Sequence, residues 1–203
     1  KVAELQAALD TEPFDAPVEG GFVGDTEPQR YRNTVAYTDR CLGRFFADAR
    51  RSGDWDRTIY VVVADHGHYL PKYRNHFDLE RHRIACLLLG GALRPDLRGT
   101  TDHTYASHVD LAATLLGQLD LPHDRFVWSK DLFDPATHKF AFYTFDEGFG
   151  YADTSQAVIF DAVRERPVHW RDSSAGAAAD SAAVRNGKAL LQVELDRYMQ
   201  LDQ

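Results

Sequence analysis

The chain has 203 residues, of which 44% are hydrophobic and 27% charged, with a formal net charge of -8 and nine histidines. That balance suits one soluble globular domain, or a large part of one, with enough chain to bury a core. It argues against a nucleic-acid partner, with no basic face to neutralise phosphates, and no apolar run approaches the roughly 20 residues that cross a bilayer.

From Gln29 to Arg51 the apolar residues Tyr31, Val35, Leu42, Phe45, Phe46 and Ala49 recur at three and four, which predicts an amphipathic helix. The stretch "SGDWD" breaks it. Residues 58–64, "TIYVVVA", follow as an apolar strand without alternation, the pattern of a central strand in a parallel sheet covered by helices on both faces. "RIACLLLGG", 83–91, reads the same way. "TYASHVDLAATLLGQL", 104–119, has helical spacing, and "KFAFYTF", 139–145, and "AVIFDAV", 157–163, are later strands. Glu147 to Tyr151 falls in a turn that could border a pocket. A Ser/Ala/Gly-rich linker, "DSSAGAAAD", leads into a closing helix within 177–201 that carries Val184, Leu191, Leu195 and Tyr198 on one face. Cys41 and Cys86 are too few for a disulfide framework and read as small buried hydrophobes. The expected fold class is α/β, a mostly parallel sheet with helices on both faces. Residues 1–170 would form the main domain, and 171–203 the linker and closing helix.

The strand at 58–64 ends abruptly in Asp65, His66, Gly67 and His68. In open α/β sheets ligands bind at the carboxyl ends of strands, where side chains converge on one crevice. A carboxylate and an imidazole side by side on such a turn are suitable ligands for Mn²⁺, Zn²⁺ or Mg²⁺. Gly67 would permit a backbone conformation that a side chain forbids. The bland alternative has Asp65 capping the next element and His66 as a polar residue at a loop mouth. Four of the nine histidines lie between His66 and His82. His68 is a candidate for a substrate oxygen or for orienting the ligand pair, with a solvated loop residue as the alternative. His76 and His82, in "RNHFDLERHR", are weaker candidates for a pocket wall, set against an exposed charged loop. His103, His108, His123, His138 and His169 carry no assigned role.

The segments "RYRNTVAYTDRCLGRFFADARRSGDWDRTIYVVVADHG", "RIACLLLGGAL", "ASHVDLAATLLGQLDLP", "FVWSKDLF" and "FAFYTFDEGFGY" resemble the carboxyl-terminal half of lipoteichoic-acid-synthase-type phosphoglycerol transferases. These belong to the sulfatase branch of the alkaline phosphatase superfamily. The combination of the "DHG" strand end with the later S-x-x-D-L-A-x-T-L-L helix is the most specific part. The resemblance implies an alkaline phosphatase-like partial domain in which Asp65 and His66 hold one divalent ion, Mn²⁺ first, with Zn²⁺ or Mg²⁺ as alternatives. It implies a Thr or Ser nucleophile and an acidic ligand on strand ends of an amino-terminal half. None of Thr11, Thr26, Thr34 or Thr38 fits that nucleophile, so the chain is expected to begin within its domain and to be inactive alone.

Two departures accompany the resemblance. Thr11 stands before "EPFD" where the family has a His, and Arg83 and Ala85 replace the usual His and Pro around Ile84, with His82 displaced by one. In the intact family domain a hydroxyl attacks a phosphoryl group in line, a covalent phosphoryl enzyme forms, and an acceptor hydroxyl or water completes transfer. The implied substrate is a phosphate ester of the cell envelope, and the implied location is a membrane-anchored, extracytoplasmic domain. A non-catalytic binding or relic domain of the same fold, and a sulfatase, remain open as alternatives.

Overall fold

The computed structural model describes residues 26–172 and 181–201. The segment "TEPFDAP" and most of the Ser/Ala/Gly-rich linker lie outside the described residues. The chain divides into two compact units, one of residues 1–76 and 80–101, the other of 77–79 and 102–203.

The first unit opens with helix α1, Glu27–Arg51. Pro28 sits in its first turn, where a missing amide costs nothing, and Glu27 there and Arg50 and Arg51 in the last turn complement the helix dipole. The Ser52 amide closes the helix on the Asp48 carbonyl at 2.9 Å. The buried stripe is Asn33, Ala36 and Phe46, whereas Val35 and Phe45 are 40% and 53% exposed. The burial therefore departs from the predicted stripe at Val35 and Phe45 and agrees with it at Phe46. Phe46 meets Trp55 and Tyr60 edge-to-face at 6.1 and 5.5 Å, and this aromatic cluster joins α1 to the strand that follows.

Strand β1, Tyr60–Val63, pairs antiparallel with β2, Cys86–Leu89, in the register Tyr60↔Leu89 to Val63↔Cys86. The expected parallel neighbours are not found among the described strands. The segment between β1 and β2 contains only short turns and a 3-10 helix, Leu79–Arg81. A parallel pair needs a crossover connection, usually a helix, whereas this segment returns the chain directly along β1. An apolar run is compatible with either arrangement, and periodicity alone does not choose between them. Both cysteines are free, Cys41 half-buried and Cys86 exposed, so Cys86 is not the buried hydrophobe expected.

The second unit begins with Ser107 and Asp110 in a capping box. Asp110, fully buried, accepts from the Ser107 amide at 2.8 Å and from Lys130 Nζ at 2.7 Å, while Lys130 also lies 3.9 Å from the Phe140 ring centroid. Helix α2, Leu111–Gln118, follows, shorter than the helical spacing of 104–119 because residues 101–107 run irregularly into the cap. Strands β3 (Phe140–Phe145), β4 (Gly148–Asp153), β5 (Gln156–Asp161) and β6 (Arg166–Asp172) form an antiparallel meander. Helix α3, Ala182–Leu201, lays Ala183 and Val184 against Phe149, Tyr151, Val158 and Phe160. The stretch read as a pocket border, Glu147 to Tyr151, is mostly the buried strand β4. Among the described residues, no helix is long and apolar enough to cross a membrane.

Candidate metal centre

Asp65 and His66 leave the carboxyl end of β1 on an exposed turn, their side chains 87% and 74% accessible. The His66 amide donates to Asp65 Oδ1 at 2.9 Å, which turns the other carboxylate oxygen, Oδ2, outward. On the ring, Nδ1–H donates to the Gly67 carbonyl at 2.8 Å, which places the lone pair on Nε2. Asp65 Oδ2 and His66 Nε2 then face each other at 3.5 Å. Two donors of this kind at this separation match adjacent corners of a coordination shell with metal–ligand distances of about 2.0–2.2 Å. One carboxylate oxygen and one imidazole nitrogen thus fit a divalent cation as two of its ligands. Among the described residues, no group of three or more His, Cys, Asp or Glu side chains could hold an ion.

Gly67 is required by contact rather than by a left-handed conformation, correcting the expectation from sequence. A Cβ there would lie 1.7 Å from the Arg81 carbonyl oxygen and 3.1 Å from His82 Cα. Absence of a side chain lets the 81–82 backbone lie directly against the turn that carries the pair.

His68 does not join Asp65 and His66 in a ligand cluster. Its ring stacks between Tyr31, at 4.7 Å and 11°, and Tyr69, at 4.5 Å and 27°. The Leu70 amide donates to its Nδ1 at 3.1 Å, so the neutral ring carries its proton on Nε2 and can donate from there. His82 Nε2 is engaged with the His76 carbonyl at 2.9 Å, which ties the two ends of the 76–82 loop together. His76 is exposed and His82 half-buried.

Sequence reading missed Tyr69, Glu27 and Arg81. The Tyr69 hydroxyl donates to the Glu27 carboxylate, which holds the phenol above its ordinary pKa. The Arg81 guanidinium lies 5.7 Å from the Tyr69 ring centroid, with one terminal nitrogen buried and without a hydrogen-bond partner among the described residues. Within "DLERHR" nothing distinguishes Arg81 from an exposed loop cation, because its contact is with the ring of Tyr69, twelve residues earlier.

The sequence profile of the Sulfatase family matches residues 8–121, more than half of the chain and the whole of the turn just described. The chain belongs to the Sulfatase family. It is 23% identical over 135 residues to lipoteichoic acid synthase 1 of Bacillus subtilis, covering 59% of this chain and 20% of that protein. It is 28% identical over 90 residues to the multifunctional alkaline phosphatase superfamily protein PehA of Trinickia caryophylli, covering 42% of this chain and 17% of that protein. The chain therefore spans about a fifth of the length of these curated relatives. A solved alkaline phosphatase superfamily protein from Vibrio parahaemolyticus superposes with a TM-score of 0.64 at 23% identity, over 92% of this chain and 47% of that one. The fold is thus α/β and alkaline phosphatase-like, as the sequence suggested, while the described strand pairs within it are antiparallel.

Proposed function

We propose that this Sulfatase-family chain is the carboxyl-terminal part of a metal-dependent phosphoryl-transfer domain, phosphoglycerol transferase-like, in which Asp65 and His66 supply two ligands to one divalent cation, Mn²⁺ before Zn²⁺ or Mg²⁺. The observation that carries this reading is the facing pair, Asp65 Oδ2 and His66 Nε2, 3.5 Å apart at the end of β1. The Gly67 carbonyl fixes the ring tautomer, and the His66 amide fixes the carboxylate, so both donors are oriented in advance. Such a cation, when bound, offsets charge on the transferred group and lowers the pKa of an attacking hydroxyl. His68 would donate Nε2–H to a substrate oxygen, and His76 and His82 would line the approach. The nucleophile and the acidic ligand would come from parts of the domain that the relatives possess and this chain does not span. Residues 1–170 would belong to the catalytic domain, with 171–203 closing it. The substrate would be a cell-envelope glycerophosphate ester, and the whole protein membrane-anchored with this domain outside the cytoplasm.

Sulfate-ester hydrolysis is the second reading, favoured by the family match itself. A chromogenic phosphodiester and a chromogenic sulfate monoester, each assayed with Mn²⁺ before and after adding the separately expressed remainder of the protein, separate the two. The chain alone should give no turnover. The complemented protein should turn over the phosphodiester and lose that activity on Asp65→Asn. Preference for the sulfate ester would select the second reading. Absence of turnover in the complemented protein would leave a binding or relic domain. Metal-dependent turnover by the 203-residue chain alone would show that the nucleophile lies within it.

A further inference from the structure

A buried guanidinium nitrogen with no partner is expensive. Buried charged groups are held in proteins by ion pairs, hydrogen bonds or bound ions, and each exception calls for an explanation, a bound ion among them. Arg81 is such an exception, since one of its terminal nitrogens is buried with no hydrogen-bond partner among the described residues. Its position is fixed from two sides. The Arg81 carbonyl rests where a Cβ of Gly67 would be, one residue beyond His66, and the guanidinium lies over the face of Tyr69 at 5.7 Å. Tyr69 is itself immobilised, by its hydrogen bond to Glu27 and by stacking on His68. A planar cation held against a fixed ring, with a donor left over, is preorganised for an oxyanion, which Arg can meet through two parallel N–H···O bonds.

We propose that Arg81 is an oxyanion-binding residue that recognises the tetrahedral phosphate or sulfate group of the substrate beside the Asp65–His66 turn. The assignment to substrate rests on the metal-centre reading above; the anion site itself stands on Arg81, Tyr69 and Gly67. The stacked ring orients the guanidinium and shields it from water, so that an incoming anion gains a charge-assisted contact without first displacing a protein carboxylate. Phosphate and sulfate share this chemistry, and their relative affinity shows which ester the site takes.

The test uses the whole 203-residue chain in isothermal titrations with inorganic phosphate and, separately, sulfate, first with chelator and then with Mn²⁺. The variants are Arg81→Gln and Arg81→Lys, with thermal melts as a check on folding. Wild type should bind anion in chelator. Arg81→Gln should bind roughly tenfold to a hundredfold more weakly, as for loss of a hydrogen bond to a charged group. Arg81→Lys, which keeps the charge and loses the fork, should fall between and keeps the test valid if Arg81→Gln does not fold. Anion binding that depends on Arg81 but not on Mn²⁺ would uphold this site even if the metal reading failed. No saturable binding to wild type, or equal binding by wild type and the two folded Arg81 variants, would overturn it. A lowered melting temperature in Arg81→Gln with an unchanged phosphate isotherm would overturn it too, leaving Arg81 a structural cation.

Discussion

Replacing Gly67 with Ala probes the join between the Asp65–His66 turn and the strap, the 81–82 backbone, that lies on it. The added Cβ would stand 1.7 Å from the Arg81 carbonyl oxygen, 2.7 Å from its carbon and 3.1 Å from His82 Cα. All three are backbone atoms, so no side-chain rotation relieves the clash. The strap has to retreat by about 1.7 Å to reach the 3.4 Å of ordinary contact. Overpacking against rigid structure costs about 1–3 kcal/mol, and a clash with backbone belongs at the upper end. At 2–4 °C per kcal/mol for a chain of this size, a loss of about 3 kcal/mol lowers the melting temperature by roughly 6–12 °C. Gly43→Ala is the control, since Gly43 lies within α1 and a Cβ there meets nothing within 4 Å. Relief of helix-interior glycine should stabilise that variant by about 0.5–1 kcal/mol. Thermal melts followed by circular dichroism at matched pH measure both. Equal melting temperatures for Gly67→Ala and Gly43→Ala would refute the close approach of residues 81–82 to the turn.

Lys130→Met should lower the unfolding free energy by about 3–5 kcal/mol in urea titrations, because it strands the fully buried Asp110 carboxylate that Lys130 Nζ meets at 2.7 Å. Phe46→Asp should be at least as damaging, as Phe46 is 3% exposed between Trp55 and Tyr60, whereas His103→Ala, at an exposed position, should stay within about 0.5 kcal/mol of wild type. Asp153 gives the acid limb its sign. Burial opposes its ionisation, but the Ser155 hydroxyl and the Gln156 and Ser155 amides outweigh that and hold its carboxyl below the usual range. Its contribution is therefore complete above the ordinary carboxylate pKa of about 4 and is lost as pH falls through the lower folded value. Asp153→Asn should flatten that part of the stability–pH curve, and an unchanged slope below about pH 4 would count against it.

What could be read without coordinates follows the range of the interactions. Helix α1 was legible because its apolar residues recur at three and four up to the break at "SGDWD", and β1 because it is an unbroken apolar run. Strand β4 was not, since Gly148 and Gly150 read as turn residues. In the fold Gly150 is needed because the Tyr143 ring crosses it, 2.0 Å from where a Cβ would stand. Pro167 and the charges of β6 hid that strand in the same way, and they belong with a sheet-edge position. Strand pairing was misjudged because an apolar run records burial but not neighbour direction. Asp65 and His66 stood out as candidates by ending an apolar run. The stacking of Tyr31 on His68 and the contact of Arg81 with Tyr69 span gaps of thirty-seven and twelve residues, which no local pattern encodes.

The most direct measurement is metal content. The full-length protein, with Asp65→Asn and His66→Ala beside it, is dialysed against Mn²⁺, freed of unbound ion and analysed by atomic emission. One manganese per wild-type chain, with both variants depleted yet still folded by circular dichroism, is the expected result. Wild-type manganese content in both folded variants would contradict the assignment of Asp65 and His66 as ligands.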